Sequence, residues 1–158
     1  GRAYTLCGNP EYLAPEVVQG RGHGPAADLW ALGVLLHCLL KGETPFASPG
    51  DDELRIYRKI CSVGAFDWSA SGLAPGVQDL LQGLLVRDPA QRLGCGPHGL
   101  AAVKAHPWFS AIDWDALLEH RYPPPPGIRE RIYNFEGVAY AHFDPQPYEG
   151  DMRWCENF

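Results

Sequence analysis

A chain of 158 residues, 46% of them hydrophobic, can bury one core of ordinary size, which excludes a disordered or fibrous protein and predicts one globular unit followed by a tail. Nineteen acidic against 13 basic side chains give a net charge of −6, which disfavours nucleic acid as a partner; it favours basic peptides electrostatically, with plain surface solvation as the alternative. Five scattered cysteines with no C-x-x-C pair argue against a zinc site or a secreted disulfide framework, so a reducing, cytoplasmic setting is expected.

Residues 1–24 hold five Gly and two Pro with little periodicity, which predicts a structured loop with a short helical turn near Pro15 to Gln19. From Pro25 the run Ala26-Ala27-Asp28-Leu29-Trp30-Ala31-Leu32-Gly33-Val34-Leu35-Leu36, continuing to Leu40, predicts a helix with Pro in its first turn and Gly42 at its stop. It is apolar all round, the mark of a central, buried helix. At twelve residues, with His37 inside, the Leu29 to Leu40 run is too short to cross a bilayer, and no membrane span is expected.

After a turn from Gly42 to Gly50, Asp51 and Asp52 suit a helix start, and Leu54, Tyr57, Ile60 and Cys61 recur along one face of an amphipathic surface helix. Val77, Leu80, Leu81, Leu84 and Leu85 mark another apolar face, ended by Asp88-Pro89 because the residue before proline is driven out of helical geometry. Short helices follow around Leu100 to Ala105 and Asp113 to Leu118. No strand pattern is convincing, so the fold class is mainly α. Beyond Tyr122, Pro123 to Pro126 favours an extended polyproline form, and the rest reads as an extended tail. The chain opens at Gly1 and its single methionine is Met152, so the sequence reads as a piece of a longer protein.

The segment Tyr4-Thr5-Leu6-Cys7-Gly8-Asn9-Pro10-Glu11-Tyr12-Leu13-Ala14-Pro15-Glu16 resembles the end of a protein-kinase activation loop, closing on the A-P-E of that family. Asp28-Leu29-Trp30-Ala31-Leu32-Gly33, Thr44-Pro45-Phe46, Asp88-Pro89-Ala90-Gln91-Arg92-Leu93-Gly94 and His106-Pro107-Trp108-Phe109 follow in the order and approximate spacing of the C-terminal lobe of AGC-group serine/threonine kinases. Any one of these alone is weak; together they span residues 4–109. The resemblance implies two parts: residues 1–109, the C-terminal lobe from the activation loop onward, and residues 110–158, the C-terminal extension of this kinase group. Within the group, Tyr4 to Gly8 and the ending Trp154-Cys155-Glu156-Asn157-Phe158 are most similar to the cyclic-nucleotide-dependent kinases, and the W-x-x-x-F finish favours the cyclic-GMP branch over the cyclic-AMP one.

The same resemblance implies site residues. Thr5 matches the activation-loop phosphosite, whose phosphate an upstream Arg would grip; the alternative is an unmodified surface threonine. Leu6, Pro10 and Leu13 match the pocket for the substrate residue just after the phosphoacceptor, with local packing as the competing role for Leu13. Glu11 is a candidate contact for a basic residue upstream of the phosphoacceptor, or else a solvated loop acid. Glu16 and Arg92 match a buried ion pair tying the activation segment to the lower lobe, and Asp28 matches the carboxylate that holds the catalytic loop, or serves the helix dipole. His23, His37, His98 and His106 show no ligand or triad spacing and read as packing or capping residues.

Three positions depart from the pattern. Asn9 replaces the threonine whose hydroxyl meets the catalytic Asp, although an amide can still donate to a carboxylate. Cys38 replaces the glutamate that pairs with an arginine two before the phosphoacceptor and with the loop tyrosine matching Tyr12, and a thiol supplies no such charge at neutral pH. Asn134-Phe135 resembles the N-F element whose Phe lines the nucleotide pocket, but Val138 stands where an aromatic is expected and Tyr140 lies two further on.

What is implied for the longer protein is transfer of the ATP γ-phosphate, with Mg²⁺, to Ser or Thr of protein substrates. The catalytic Asp, both metal ligands and the phosphate-binding Lys would precede Gly1, so residues 1–158 alone are expected to be inactive and to need an N-terminal lobe, with a cyclic-nucleotide-binding regulatory region as a further partner. The competing class is a pseudokinase or scaffold lobe that binds partners without phosphoryl transfer.

Overall fold

A computed structural model describes residues 1–62, 66–68 and 71–123. The chain divides into two compact units, Gly1–Ile112 and Asp113–Phe158. Among the described residues there is no strand: the first unit holds helices α1 (Pro15–Val18), α2 (Ala26–Lys41), α3 (Glu53–Cys61), α4 (Pro75–Leu84) and α5 (Leu100–Lys104), with 3₁₀ turns at Pro10–Tyr12 and Pro107–Phe109. In the second unit, α6 (Trp114–Leu118) starts where Asp113 accepts a hydrogen bond from the Ala116 N–H at 2.9 Å. The tail residues Phe135, Val138, Tyr140 and Trp154 to Phe158 lie outside the described residues.

Helix α2 organises the first unit. It stops at Gly42, which takes the left-handed conformation (φ 78°) that a side chain would disfavour, while its N–H closes onto the Cys38 carbonyl at 2.8 Å. Trp30 and Val34 join Leu13, Ala14, Val17, Phe46, Ile56, Ile60 and Leu85 in one core cluster, where the Trp30 and Phe46 rings stack with centroids 5.3 Å apart. A second cluster holds Leu29, Leu80, Leu84 and Val103.

The expected burial of α2 on all sides is only half met. Leu29, Trp30, Gly33, Val34 and His37 are buried, but Leu32, Leu35, Leu39 and Leu40 lie at the surface, Leu39 with 75% of its area open. The described neighbours cover one side of the helix, and an all-apolar pattern cannot say which. Two smaller differences have equally local causes. In α3 the buried residues are Ile56 and Ile60, while Leu54 is exposed, because the face is set by which turn meets the core cluster. Helix α4 stops at Leu84, ahead of Asp88-Pro89, where Leu85 leaves helical geometry to enter the core.

The α3 start is a small charged hub. Asp52 caps the helix by accepting the Arg55 N–H at 2.7 Å. Asp51 accepts the Ser48 N–H at 2.8 Å, pairs with Arg55 at 3.0 Å and is bonded by the Lys59 ammonium. The Lys59 hydrogen bond holds the Asp51 carboxyl below its ordinary range, against an opposing push from burial. A carboxyl depressed in the folded state stabilises fully above the unfolded value near ~4 and loses that contribution as pH falls through the depressed one. Asp51→Asn should therefore flatten the acid limb of stability, read as melting temperature from pH 7 down to 3; an unchanged acid limb would dismiss the hub.

Candidate functional site

The candidate site is the loop from Tyr4 to Glu16, held at both ends. At its front, Ala3 and His23 exchange backbone hydrogen bonds at 2.9 and 2.8 Å, pinning the loop to the segment before α2. Tyr4 lies across Gly22, whose φ of +79° favours glycine, and a Cβ there would come 2.7 Å from the exposed tyrosine ring and displace it. Thr5 and Leu6 are exposed, Leu6 at 55%.

The middle of the loop is a capped turn. Asn9 accepts the Glu11 N–H on its side-chain oxygen at 3.1 Å, making it the N-cap of the Pro10–Tyr12 turn. With the oxygen engaged, the Asn9 amide nitrogen remains as its donor group. Glu11 is half-buried and accepts a 2.6 Å hydrogen bond from the Thr44 hydroxyl, 33 residues away in sequence. Tyr12 reaches Cys38 on α2, and burial, then the hydrogen bond with that thiol, raise the phenol pKa. The position that departs from the kinase pattern thus still meets the loop tyrosine, through a thiol in place of a carboxylate.

The back of the loop is anchored in the core. Leu13 is 9% exposed and belongs to the larger core cluster, so of the three apolar pocket candidates only Leu6 and Pro10 offer appreciable surface. Glu16 opens α1 at 5% exposure, and Arg92, at 1%, donates to both of its oxygens at 2.8 and 3.0 Å. Every other donor of Arg92 is also used. Its Nε meets the Val86 carbonyl at 2.9 Å, its Nη1 the Ala26 carbonyl, and its Nη2 the Arg87 carbonyl at 3.5 Å. The guanidinium also lies 5.4 Å from the centre of the Trp30 ring. One side chain thereby joins the loop, the start of α2 and the 86–92 turn.

Asp28 sits exposed in the first turn of α2. His37 is buried and bonds the Glu43 carbonyl through Nδ1 at 2.8 Å. His106 accepts the Trp108 N–H on Nδ1 at 3.2 Å, which leaves Nε2 as the donor toward Asp79 at 3.1 Å. Sequence reasoning missed Thr44 as the tether of Glu11. Its only signal was membership of the Thr44-Pro45-Phe46 landmark, which says nothing about the hydroxyl's partner.

The protein kinase domain family matches residues 1–109. Similar proteins include the cAMP-dependent protein kinase catalytic subunit PRKX of Homo sapiens, 46% identical over 124 residues that make up 78% of this chain and 34% of the relative. Ribosomal protein S6 kinase alpha-4 of Mus musculus is 42% identical over 138 residues, 83% of this chain and 17% of the relative. The cAMP-dependent protein kinase catalytic subunit of Dictyostelium discoideum is 45% identical over 120 residues, 76% of this chain and 18% of the relative. The chain thus spans about a third of the length of the first of these and under a fifth of the others. The cyclic-GMP branch favoured by the Trp154 to Phe158 ending finds no support in these relatives. A mainly helical unit whose A-P-E glutamate is clasped by the arginine of the 88–94 turn, matched to the family over residues 1–109, belongs to the protein kinase domain family.

Proposed function

We propose that this chain is the peptide-binding part of the C-terminal lobe of a serine/threonine kinase of the AGC group, which transfers the ATP γ-phosphate to Ser or Thr of protein substrates. The observation that carries the proposal is the Asn9-to-Glu16 segment: a capped turn with Leu6 and Pro10 at the surface, anchored behind by Glu16 and Arg92. In this reading Leu6 and Pro10 receive an apolar substrate side chain, a contact that discriminates by about 1–3 kcal/mol, and Glu11 faces a basic one. Asp28, exposed at the start of α2, holds the catalytic loop of the longer protein. Relatives named as cAMP-dependent support cyclic-nucleotide control, and a cytoplasmic location belongs to the same proposal. No described helix is long and apolar enough to cross a membrane.

Among the described residues no group of three His, Cys, Asp or Glu side chains could hold a metal ion. By the kinase resemblance alone, ATP and Mg²⁺ would be held by other parts of the longer protein, and Phe135 is a nucleotide contact only by the same resemblance. Purified 1–158 should transfer no phosphate from labelled ATP to a Ser/Thr peptide, while the longer protein should; turnover by 1–158 alone would refute the division of labour. A scaffold lobe without phosphoryl transfer is the second reading, motivated by Asn9 and Cys38, and an inactive longer protein would favour it.

Cys38 supplies a sharper test of the peptide groove. Beside Tyr12, Cys38→Glu would place a carboxylate next to Glu11's turn and should raise the preference for arginine two before the phosphoacceptor about tenfold in kcat/KM, equivalent to ~1.4 kcal/mol. Equal kcat/KM ratios for paired Arg and Ala peptides in both proteins would count against Cys38 lying in the groove.

A further inference from the structure

We propose that the cleft between residues 21–26 and the 87–89 turn binds a phosphate monoester carried on an apolar body. The cleft has a volume of about 860 Å³, within the range of small-ligand sites. Pro15, Pro25, Ala26 and Pro89 supply apolar lining, and Arg2, Arg21 and Arg87 line the same space. Three arginines at one cleft stand out in a chain of net charge −6.

The charge there is not cancelled from within. Two carboxylates also line the cleft: Glu16 is fully engaged with Arg92, while Asp88, which accepts the Ala90 N–H at 3.0 Å, keeps its charge and offsets one of the three arginines, so the cleft stays net positive. Arg2, Arg21 and Arg87 pair with no carboxylate among the described residues. Arg87 is held in place instead by carbonyls, donating from Nε to Ile60 at 2.9 Å and from Nη2 to Lys59 at 3.5 Å, which leaves Nη1 for a ligand. Burial draws its pKa down, with Cys61 opposing, as expected for a half-buried cation without a counter-anion.

A phosphate fits this set better than a carboxylate. It presents three acceptor oxygens and a charge near −2, and guanidinium forks bind such oxygens in pairs. The apolar lining has no use for a bare ion, so the ester's body is part of the ligand. Binding needs no phosphoryl transfer and stands apart from the kinase reading.

The test is ligand-observed NMR on the full chain with phenyl phosphate, inorganic phosphate and phenol as probes. Phenyl phosphate should bind more tightly than either other probe and weaken in 0.5 M salt, by analogy with screening lengths of about 3–5 Å. The double substitution Arg2→Gln, Arg21→Gln removes two exposed, unpaired cations, so the melting curve should stay unchanged while phenyl phosphate affinity falls at least about tenfold. Arg87→Gln, checked by the same melting curve, should act in the same direction. Comparing phenyl phosphate with N-acetyl-phosphotyrosine amide separates a free ester from a phosphorylated side chain as the source. Phenol or inorganic phosphate binding as tightly as phenyl phosphate, or affinity untouched by the double substitution, would overturn the site.

Discussion

Replacing Arg92 with alanine is expected to destabilise the chain by about 3–5 kcal/mol, because it strands the buried Glu16 carboxylate and leaves the Val86, Ala26 and Arg87 carbonyls without their donor. At this chain length that is on the order of 10 °C in melting temperature. The pair's net contribution against an apolar replacement is a different and smaller quantity, since burying both charges also costs free energy. Arg92→Lys should recover little: an ammonium keeps the charge but cannot span both Glu16 oxygens and three carbonyls. Glu16→Gln should be milder than Arg92→Ala, as it leaves the carbonyl bonds in place, and a double-mutant cycle isolates their coupling. Urea melts of the four proteins decide the matter; an Arg92→Ala loss under ~1 kcal/mol would mean that the knot contributes little.

Thr5→Ala is expected to lower phosphoryl transfer by the longer protein about ten- to a hundredfold, with little change in stability. The reason lies in how unevenly the loop is held. Ala3 is pinned to His23 and the turn from Asn9 is capped, but residues 5–8 make no hydrogen bond among the described residues, and Thr5 is exposed. A phosphate there would supply one to three charge-assisted hydrogen bonds, each worth about 1.5–3 kcal/mol, to a stretch that makes none of its own among the described residues. Initial rates with a Ser/Thr peptide, compared before and after phosphatase treatment, provide the readout. If Thr5→Ala retains the untreated wild-type rate, Thr5 is a plain surface threonine.

Much of the secondary structure was legible because helices repeat every few residues. The cap at Asp52, the stop at Gly42 and the short helices near Leu100 and Trp114 follow from residues adjacent in sequence. The family was legible for a related reason, since the landmarks from Tyr4 to Phe109 are ordered strings of neighbours. Other features are not written in any neighbourhood. The period of α2 could not choose between its faces, because apolar residues surround it, and the choice fell to whichever elements packed against Trp30 and Val34. Leu13 reads equally as pocket or core until Ile56, Ile60 and Phe46 are seen beside it. Thr44 meets Glu11 across 33 residues, and Arg92 meets Glu16 across 76. The gathering of Arg2, Arg21 and Arg87 at one cleft likewise had no local signal. Sequence by itself determined the helical elements and the kinase resemblance, since both are carried by short-range spacing. Only the tertiary structure decided which apolar face is covered, which acid has a hydroxyl partner and where unpaired cations collect, because those depend on the path of the chain through space.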